Sequence, residues 1–330
     1  MVRTRIVCIS DTHGYGPPDG AFKLPKGDVL VHAGDLSNQG TLNELRKTAE
    51  WIERADFEVK IGHANIISNM SEGNHDITLD GNFYNRHWQL FHNQRRESAD
   101  DCQALFTKSS IIYLNHEAAV IRLSNPGGPQ SVFKIFGSPY TPYCGKWAFS
   151  YTSEKACGIW DKIPLDTDIV LTHTPPRSHC DENRHGSLGC EHLRQALWRV
   201  RPRLAICGHV HEGRGYDRVL WDIALQSGEK FRELSSVSGE LPPLNSKKQC
   251  LIDLTGKTQP RLRNDGPSGS SFPTLRANDE SQVAKGAGTI PGRNETCIVN
   301  AAIMATSWPH RGGKKFNSPL VIDLDLPVAG

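Results

Sequence analysis

Four short apolar runs in this 330-residue chain each end at a residue able to bind a metal or move a proton. Arg5–Ser10 runs into Asp11, Val29–Ala33 into Gly34-Asp35, Asp168–Thr172 into His173, and Leu204–Cys207 into Gly208-His209. Continuous runs of this length, rich in Val and Ile, suit strands buried on both faces. Helical patterns separate them. Thr41–Arg54 opens on a Thr-x-x-Glu capping box (Thr41, Glu44) and carries Leu42, Leu45, Ala49 and Ile52 along one face. Gly189–Val200 predicts another helix, stopped at Arg201-Pro202. Glu117–Leu123 and Gln130–Gly137 predict a hairpin around Asn125-Pro126-Gly127-Gly128. Strands alternating with helices, then hairpins, predict a mixed α/β core. In such sheets ligands gather at the carboxyl ends of the strands, and the blocks named here sit at such ends.

Composition matters for what it excludes. With 37% hydrophobic and 22% charged residues, the chain can build a globular core. A net charge of +2 gives no electrostatic case for nucleic acid or an anionic membrane. No run approaches the roughly 18 apolar residues of a membrane span. Met1–Arg5 leads into a strand-like run instead of a signal-peptide apolar region, and the nine cysteines include no Cys-x-x-Cys pair. The expectation is a cytoplasmic protein with reduced thiols, one domain over residues 1–330. Two stretches break the pattern. Between Leu225 and Glu295 only Cys250–Leu254 looks ordered, and 256–293 predicts a disordered insertion. Order should return at Thr296–Ile303 and Pro319–Leu326, two late strands completing the sheet. The other anomaly, 62–72, separates the strand-like Phe57–Ile61 from Gly73. It loops out, or Asn65–Met70 supplies part of a strand, or the segment is translated intron.

The candidate ligands are Asp11, His13, Asp35, Asn74, His173, His209 and His211. Carboxylates with several imidazoles and no cysteine disfavour a closed structural zinc site, and the imidazoles disfavour an all-oxygen Mg²⁺ or Ca²⁺ cage. Mn, Fe and Zn remain. So many donors suit two divalent ions about 3.5–4 Å apart, sharing a carboxylate and a bridging hydroxide. Two such ions outweigh the charges of Asp11 and Asp35, so the site attracts a phosphodiester monoanion. His75 can protonate the leaving oxygen, and Asp76 can orient that imidazole or cap the next helix. Bland roles stay open: strand-end turns for Asp35 and Asn74, a satisfied histidine for His173. His32 and His116 have no partner block. His179 and Asp181 line the pocket or lie in a solvated loop. Tyr140, Tyr143 and Trp147 form an aromatic group that stacks on a nucleobase or packs its own loop.

Asp-x-His, Gly-Asp, Gly-Asn-His-Asp, a late His and Gly-His-x-His, in this order, resemble the calcineurin-like metallophosphoesterases. Gly137–Pro142, His173–Pro176 and Gly208–Gly213 resemble the metallophosphoesterase-domain-containing subgroup. The likeness runs from Arg5 to Tyr216 and resumes at Glu295–Val328. It implies a four-layer sandwich of two mixed β-sheets flanked by helices. It also implies one metal on Asp11, His13, Asp35 and His211, another on Asp35, Asn74, His173 and His209, and His75 as the catalytic histidine. In the family a strand passes directly into Gly-Asn-His-Asp, whereas here 62–72 intervenes. The expected activity is hydrolysis of a small phosphodiester such as a cyclic nucleotide. A phosphomonoesterase, a nuclease and a non-catalytic binding protein are the alternatives, and the small net charge argues against a nuclease.

Overall fold

Two mixed β-sheets face each other between two layers of helices. The computed structural model describes residues 1–63, 75–93, 95–143, 145–223, 231–244, 246, 248–266, 292–307 and 309–328. The first sheet has the order β15 (Cys250–Asp253), β17 (Leu320–Leu326), β1 (Val2–Ile9), β2 (Val29–His32), β3 (Val59–His63) and β4 (Ile112–Leu114). Among the described residues its only antiparallel pair is β1 with β17. The second sheet runs β14 (Glu233–Ser238), β13 (Gly215–Trp221), β16 (Glu295–Asn300), β12 (Leu204–Cys207), β9 (Ile169–Thr172), β6 (Val132–Ser138) and β5 (Glu117–Arg122). Its inner strands β16, β12, β9 and β6 are parallel. Two short pairs, β7 (Thr141–Pro142) with β8 (Ser150–Tyr151) and β10 (Glu182–Asn183) with β11 (Gly186–Ser187), shape loops near the strand ends.

Side-chain alternation builds the layers. Along β1, Ile6 and Cys8 enter the core between the sheets with Val31, Ile135, Leu171, Ile206, Val299 and Ile322. Val7 and Ile9 point the other way, under α1 (Leu42–Arg54), α2 (Gly81–His87) and α3 (Ala99–Thr107). All four are fully buried, as a continuous apolar run requires. On the far side α4 (Ser153–Trp160) and α5 (Glu191–Val200) cover Phe136, Val170 and Ala205 with Trp160, Leu193 and Leu197. The Thr41/Glu44 capping box starts α1, which buries Leu45, Ala49 and Ile52. Burying a Leu or Ile side chain stabilises by about 1.5–3 kcal/mol, so this stripe fixes the helix to the sheet. Arg201, left-handed at φ 49°, ends α5.

The late strands complete different sheets, β16 the second and β17 the first. Between them the expected disorder needs correction. β14 is an ordered edge strand, although its ELSSVS sequence is mostly exposed and carries no apolar run. Residues 256–266 and 292–293 are also ordered. Leu262 joins the inter-sheet core, Asp265 N–H donates to the Gly292 carbonyl at 3.0 Å, and buried Arg293 reaches Asp168 at 2.9 Å. The rest of that stretch, 267–291, lies outside the described residues. Of 62–72, Gly62 and His63 extend β3, and 64–72 lies outside them. Among the described residues, no helix is long and apolar enough to cross a membrane.

Candidate metal centre

The strand ends converge because their strands are parallel neighbours. After β1 and β2 the two turns run side by side: Asp11 N–H donates to Gly34 O at 2.9 Å and His13 N–H to Asp35 O at 3.0 Å. After β9 and β12, Gly208 N–H donates to His173 O at 3.0 Å. The two sheets then meet, with His209 N–H 3.0 Å from both carboxylate oxygens of Asp11. Gly208 allows this approach, because a Cβ there would lie 2.0 Å from Ser10 Oγ. Asp11, His13, Asp35 and His209 all adopt left-handed backbone, with φ of 52°, 46°, 54° and 67°. Such residues cost on the order of 1–3 kcal/mol each and cluster where function demands them.

Distances among the donor atoms are short. His13 Nε2 lies 3.2 Å from His211 Nε2, and Asp11 Oδ1 lies 3.5 Å from His211 Nε2. Asp35 Oδ2 stands 3.6 Å from both His13 Nε2 and His173 Nε2, and Asp11 Oδ1 is 4.0 Å from the latter. Three groupings bring their ligand atoms within 4.8 Å of one another: Asp11–His13–His211, His13–Asp35–His75 and Asp11–Asp35–His173. Most of these separations are too long for hydrogen bonds. Donors bound to one ion at about 2.0–2.2 Å sit roughly 3–3.5 Å apart, so the spacing suits metal better. His173 gives the sharpest sign. It is fully buried, its Nδ1–H donates to Ala33 O at 2.7 Å, and its Nε2 has no hydrogen-bond partner among the described residues. Burial opposes charging this ring, yet Asp35 and Asp11 outweigh it and raise the imidazole to about 9. The pocket therefore stabilises a positive charge at its centre. Burial pushes His13 down to about 3 and His209 to about 4, leaving neutral imidazoles. His209 stands outside the three groupings, its ring centroid 5.0 Å from that of His173. Asn74 lies outside the described residues.

His75 sits beside this cluster. Its backbone N–H donates to Asp35 Oδ1 at 3.2 Å, and its Nδ1–H to Asn38 O at 2.7 Å. The Trp147 ring stacks on it at 4.1 Å. Asp76 neither orients His75 nor caps the following turn. Its buried carboxylate accepts from Leu36 N–H at 2.9 Å, Ser37 N–H at 2.8 Å and Ser37 Oγ at 2.6 Å, which ties down the loop after Asp35. The three aromatics do not act as one group either. Trp147 faces His75 and Phe91, Tyr140 faces His116 and Tyr151, and Tyr143 is 56% exposed.

Other supporting residues carry no motif. Gly34 N–H donates to His32 Nδ1 at 3.3 Å, so His32 Nε2–H donates to Thr12 Oγ1 at 2.9 Å. Burial holds that ring neutral, at about 4, and it bridges the two ligand turns. Asn38 Nδ2 donates to His13 O at 2.8 Å. Asn300, fully buried at the end of β16, donates from Nδ2 to Val210 O at 2.8 Å and Cys180 O at 2.9 Å. A polar residue ending an apolar run was the available signal for Asn300; His32 looks like any strand residue.

His179 and Asp181 are buried, although much of the loop around them is exposed. His179 lies 3.2 Å from Asp217 and 2.9 Å from Glu233, which Arg194 also holds at 2.7 Å, and Asp181 accepts from Gly189 N–H. Burial disfavours the imidazolium, but Asp217 and Glu233 outweigh it and raise His179 to about 9. Burial likewise opposes ionising Glu233, and His179 and Arg194 bring it to about 2. The histidine contribution is therefore complete below its ordinary 6.5 and lost as pH rises through 9. The Glu233 contribution is complete above its ordinary 4.5 and lost as pH falls toward 2. His179→Gln is expected to cost on the order of 2–3 kcal/mol in urea melts at pH 6 and clearly less at pH 9.5. An equal cost at both values would show that the ring is neutral throughout.

A model of the calcineurin-like phosphoesterase family matches residues 4–213. The chain is 39% identical over 231 residues to the probable rhamnogalacturonate lyase C of Emericella nidulans, covering 69% of this chain and 19% of that protein. It is 34% identical over 223 residues to the human (Homo sapiens) metallophosphoesterase domain-containing protein 1, covering 64% and 62%. A UPF0046 protein of Caenorhabditis elegans is 32% identical over 212 residues, covering 64% of each. The match thus spans less than two thirds of each of these relatives.

Proposed function

The chain belongs to the calcineurin-like phosphoesterase family, and from that premise we propose that it is a two-metal phosphodiesterase acting on a small diester such as a cyclic nucleotide. The observation that carries this reading is the buried Nε2 of His173, which faces Asp11 and Asp35 and has no hydrogen-bond partner among the described residues. Asp11, His13, Asp35 and His211 would hold one divalent ion, and Asp35, Asn74, His173 and His209 the other, with Mn, Fe or Zn as candidates. When bound, such ions supply Lewis acidity and an acidified water as nucleophile.

The chain's own groups do the rest. With Nδ1–H held by Asn38 O and its face held by Trp147, His75 presents Nε2 for proton transfer to the leaving oxygen. Asp76 and His32 fix the turns that carry Asp35, Asp11 and His13. Trp147, stacked on His75, offers aromatic surface for the substrate's organic part. The eight cysteines among the described residues are all free thiols, which supports a cytoplasmic setting. The match covers only 19% of the Emericella lyase, too little of that protein to assign its activity to this chain.

The test is a purified sample with added Mn²⁺, assayed on bis(p-nitrophenyl) phosphate and p-nitrophenyl phosphate, with metal analysis alongside. We expect two metal ions per chain and a clear preference for the diester. Monoester preference would make it a phosphomonoesterase. Bound metal with no turnover of either would make it a binding protein.

A further inference from the structure

Residues 304–307 and 309–316 form the described part of a basic hairpin built directly onto the metal centre. Met304 N–H donates to Asp11 O at 3.2 Å, and His211 Nδ1–H donates to Thr306 O at 3.2 Å. Its legs close through Ala305 N–H to Lys315 O at 2.8 Å and a bridge between Met304 and Phe316. The Arg214 guanidinium braces the base, donating to Ala302 O at 3.2 Å and Ser318 O at 2.7 Å. Nothing in the core uses the tip, where Arg311, Lys314 and Lys315 are exposed around Gly312 and Gly313. Both glycines have positive φ, 85° and 91°, where a side chain would be strained.

The tip leans toward the ligands. Lys314 Nζ donates to Tyr15 Oη at 3.2 Å and lies 4.6 Å from that ring's centroid. Tyr15 is two residues from His13, so their Cα atoms are at most about 7 Å apart. From the other side Lys47 Nζ donates to Gly14 O at 3.0 Å and lies 5.9 Å from the same ring. Three acidic groups oppose these cations: Asp19, paired with Lys47 at 2.7 Å, Glu44, which accepts at 3.3 Å from the Asn38 amide that also bonds His13 O, and exposed Glu212. Lys47, Arg311, Lys314 and Lys315 outnumber them. A chain whose net charge is only +2 has gathered cations on one rim of its site.

We propose that this hairpin binds a second phosphate on the substrate, so that the preferred diester carries an anionic group beside the scissile one. The proposal rests on the phosphodiesterase reading for its substrate, and it moves the preference from a cyclic mononucleotide to a linear or multiply phosphorylated nucleotide. Exposed charge pairs are worth roughly two- to fivefold in affinity each at low salt, so three cations give about tenfold or more. Salt should screen the effect.

The experiment uses the full metal-loaded chain and two uncleavable probes that keep the diester charge: thymidylyl-thymidine with a methylene group in place of the leaving oxygen, with and without a 5′-phosphate. Calorimetry should show about tenfold tighter binding of the phosphorylated probe at low salt, shrinking in 0.5 M NaCl. The combined variant Arg311→Gln, Lys314→Gln, Lys315→Gln should reduce that preference to within about twofold. A charge-matched control with Arg122→Gln, Lys155→Gln and Lys257→Gln should keep it, and thermal melts check that both fold. No preference in the unaltered protein, or one that survives the hairpin variant, overturns the proposal. In parallel, kcat/KM is compared for thymidylyl-thymidine and its 5′-phosphorylated form. If the binding preference holds and neither is cleaved, the phosphodiesterase reading fails and the anion rim stands.

Discussion

Asp35→Asn is expected to give a folded protein that has lost metal and hydrolyses phosphate esters more than about 100-fold more slowly. Losing a group that merely orients a ligand costs about 10–100-fold, and Asp35 touches more than an orienting group does. Its Oδ2 lies 3.6 Å from both His13 and His173, and it belongs to two of the three donor groupings. His75 N–H also rests on its other oxygen at 3.2 Å. An amide keeps the shape and removes the charge that holds a dication. Thermal melts separate metal loss from misfolding. Mn²⁺ at 100 times its Kd stabilises a single-site protein by about 2.7 kcal/mol, or roughly 4 °C at this chain size. The unaltered protein should show that rise and Asp35→Asn should not, while their metal-free midpoints stay close. Full metal content in the variant would remove Asp35 from the centre.

His75→Ala should lower kcat by roughly 10²–10⁴-fold, the usual worth of a positioned proton donor, and leave metal content unchanged. The geometry makes this a real contest, because His75 also falls within ligand distance of His13 and Asp35. Joint loss of metal and turnover would make it a ligand. The choice of leaving group sharpens the outcome. p-Nitrophenolate departs without a proton, so a proton-donor role predicts a smaller loss on bis(p-nitrophenyl) phosphate than on an alkyl diester. Equal losses on both would point to a role for the imidazole in holding the phosphate.

Much of the frame was legible because burial on both faces leaves a plain mark. RIVCI, VLVH, IVLT and LAIC became β1, β2, β9 and β12, and the residues after them supply the cluster. The Thr41/Glu44 box and the hairpin of β5 with β6 were equally plain, since each rests on a local spacing rule. What escaped depends on contacts distant in sequence. β14 is a polar edge strand, held by pairing with β13 instead of by burial. Asp76 looked like a partner for its neighbour His75, yet its carboxylate reaches back to Leu36 and Ser37. His179 lay in a polar loop in sequence, and only the approach of Asp217 and Glu233 explains its burial. No spacing rule announces a residue such as His32, which holds Gly34 in its own turn and reaches Thr12 across the parallel pair.

Pairing of the first strand with the last has a consequence for how the protein is made. Arg5 and Asp323, 318 residues apart, meet at 2.7 Å across β1 and β17. At about 5–20 residues per second, a ribosome needs roughly 15–60 s to travel between them. Through that interval β1 can pair with β2, while its other edge stays open to any passing strand. Asp11 waits as well, because the backbone that secures it includes Met304. The first of these ligands to leave the ribosome is therefore fixed only after Met304 has followed it, and until then the centre is unfinished.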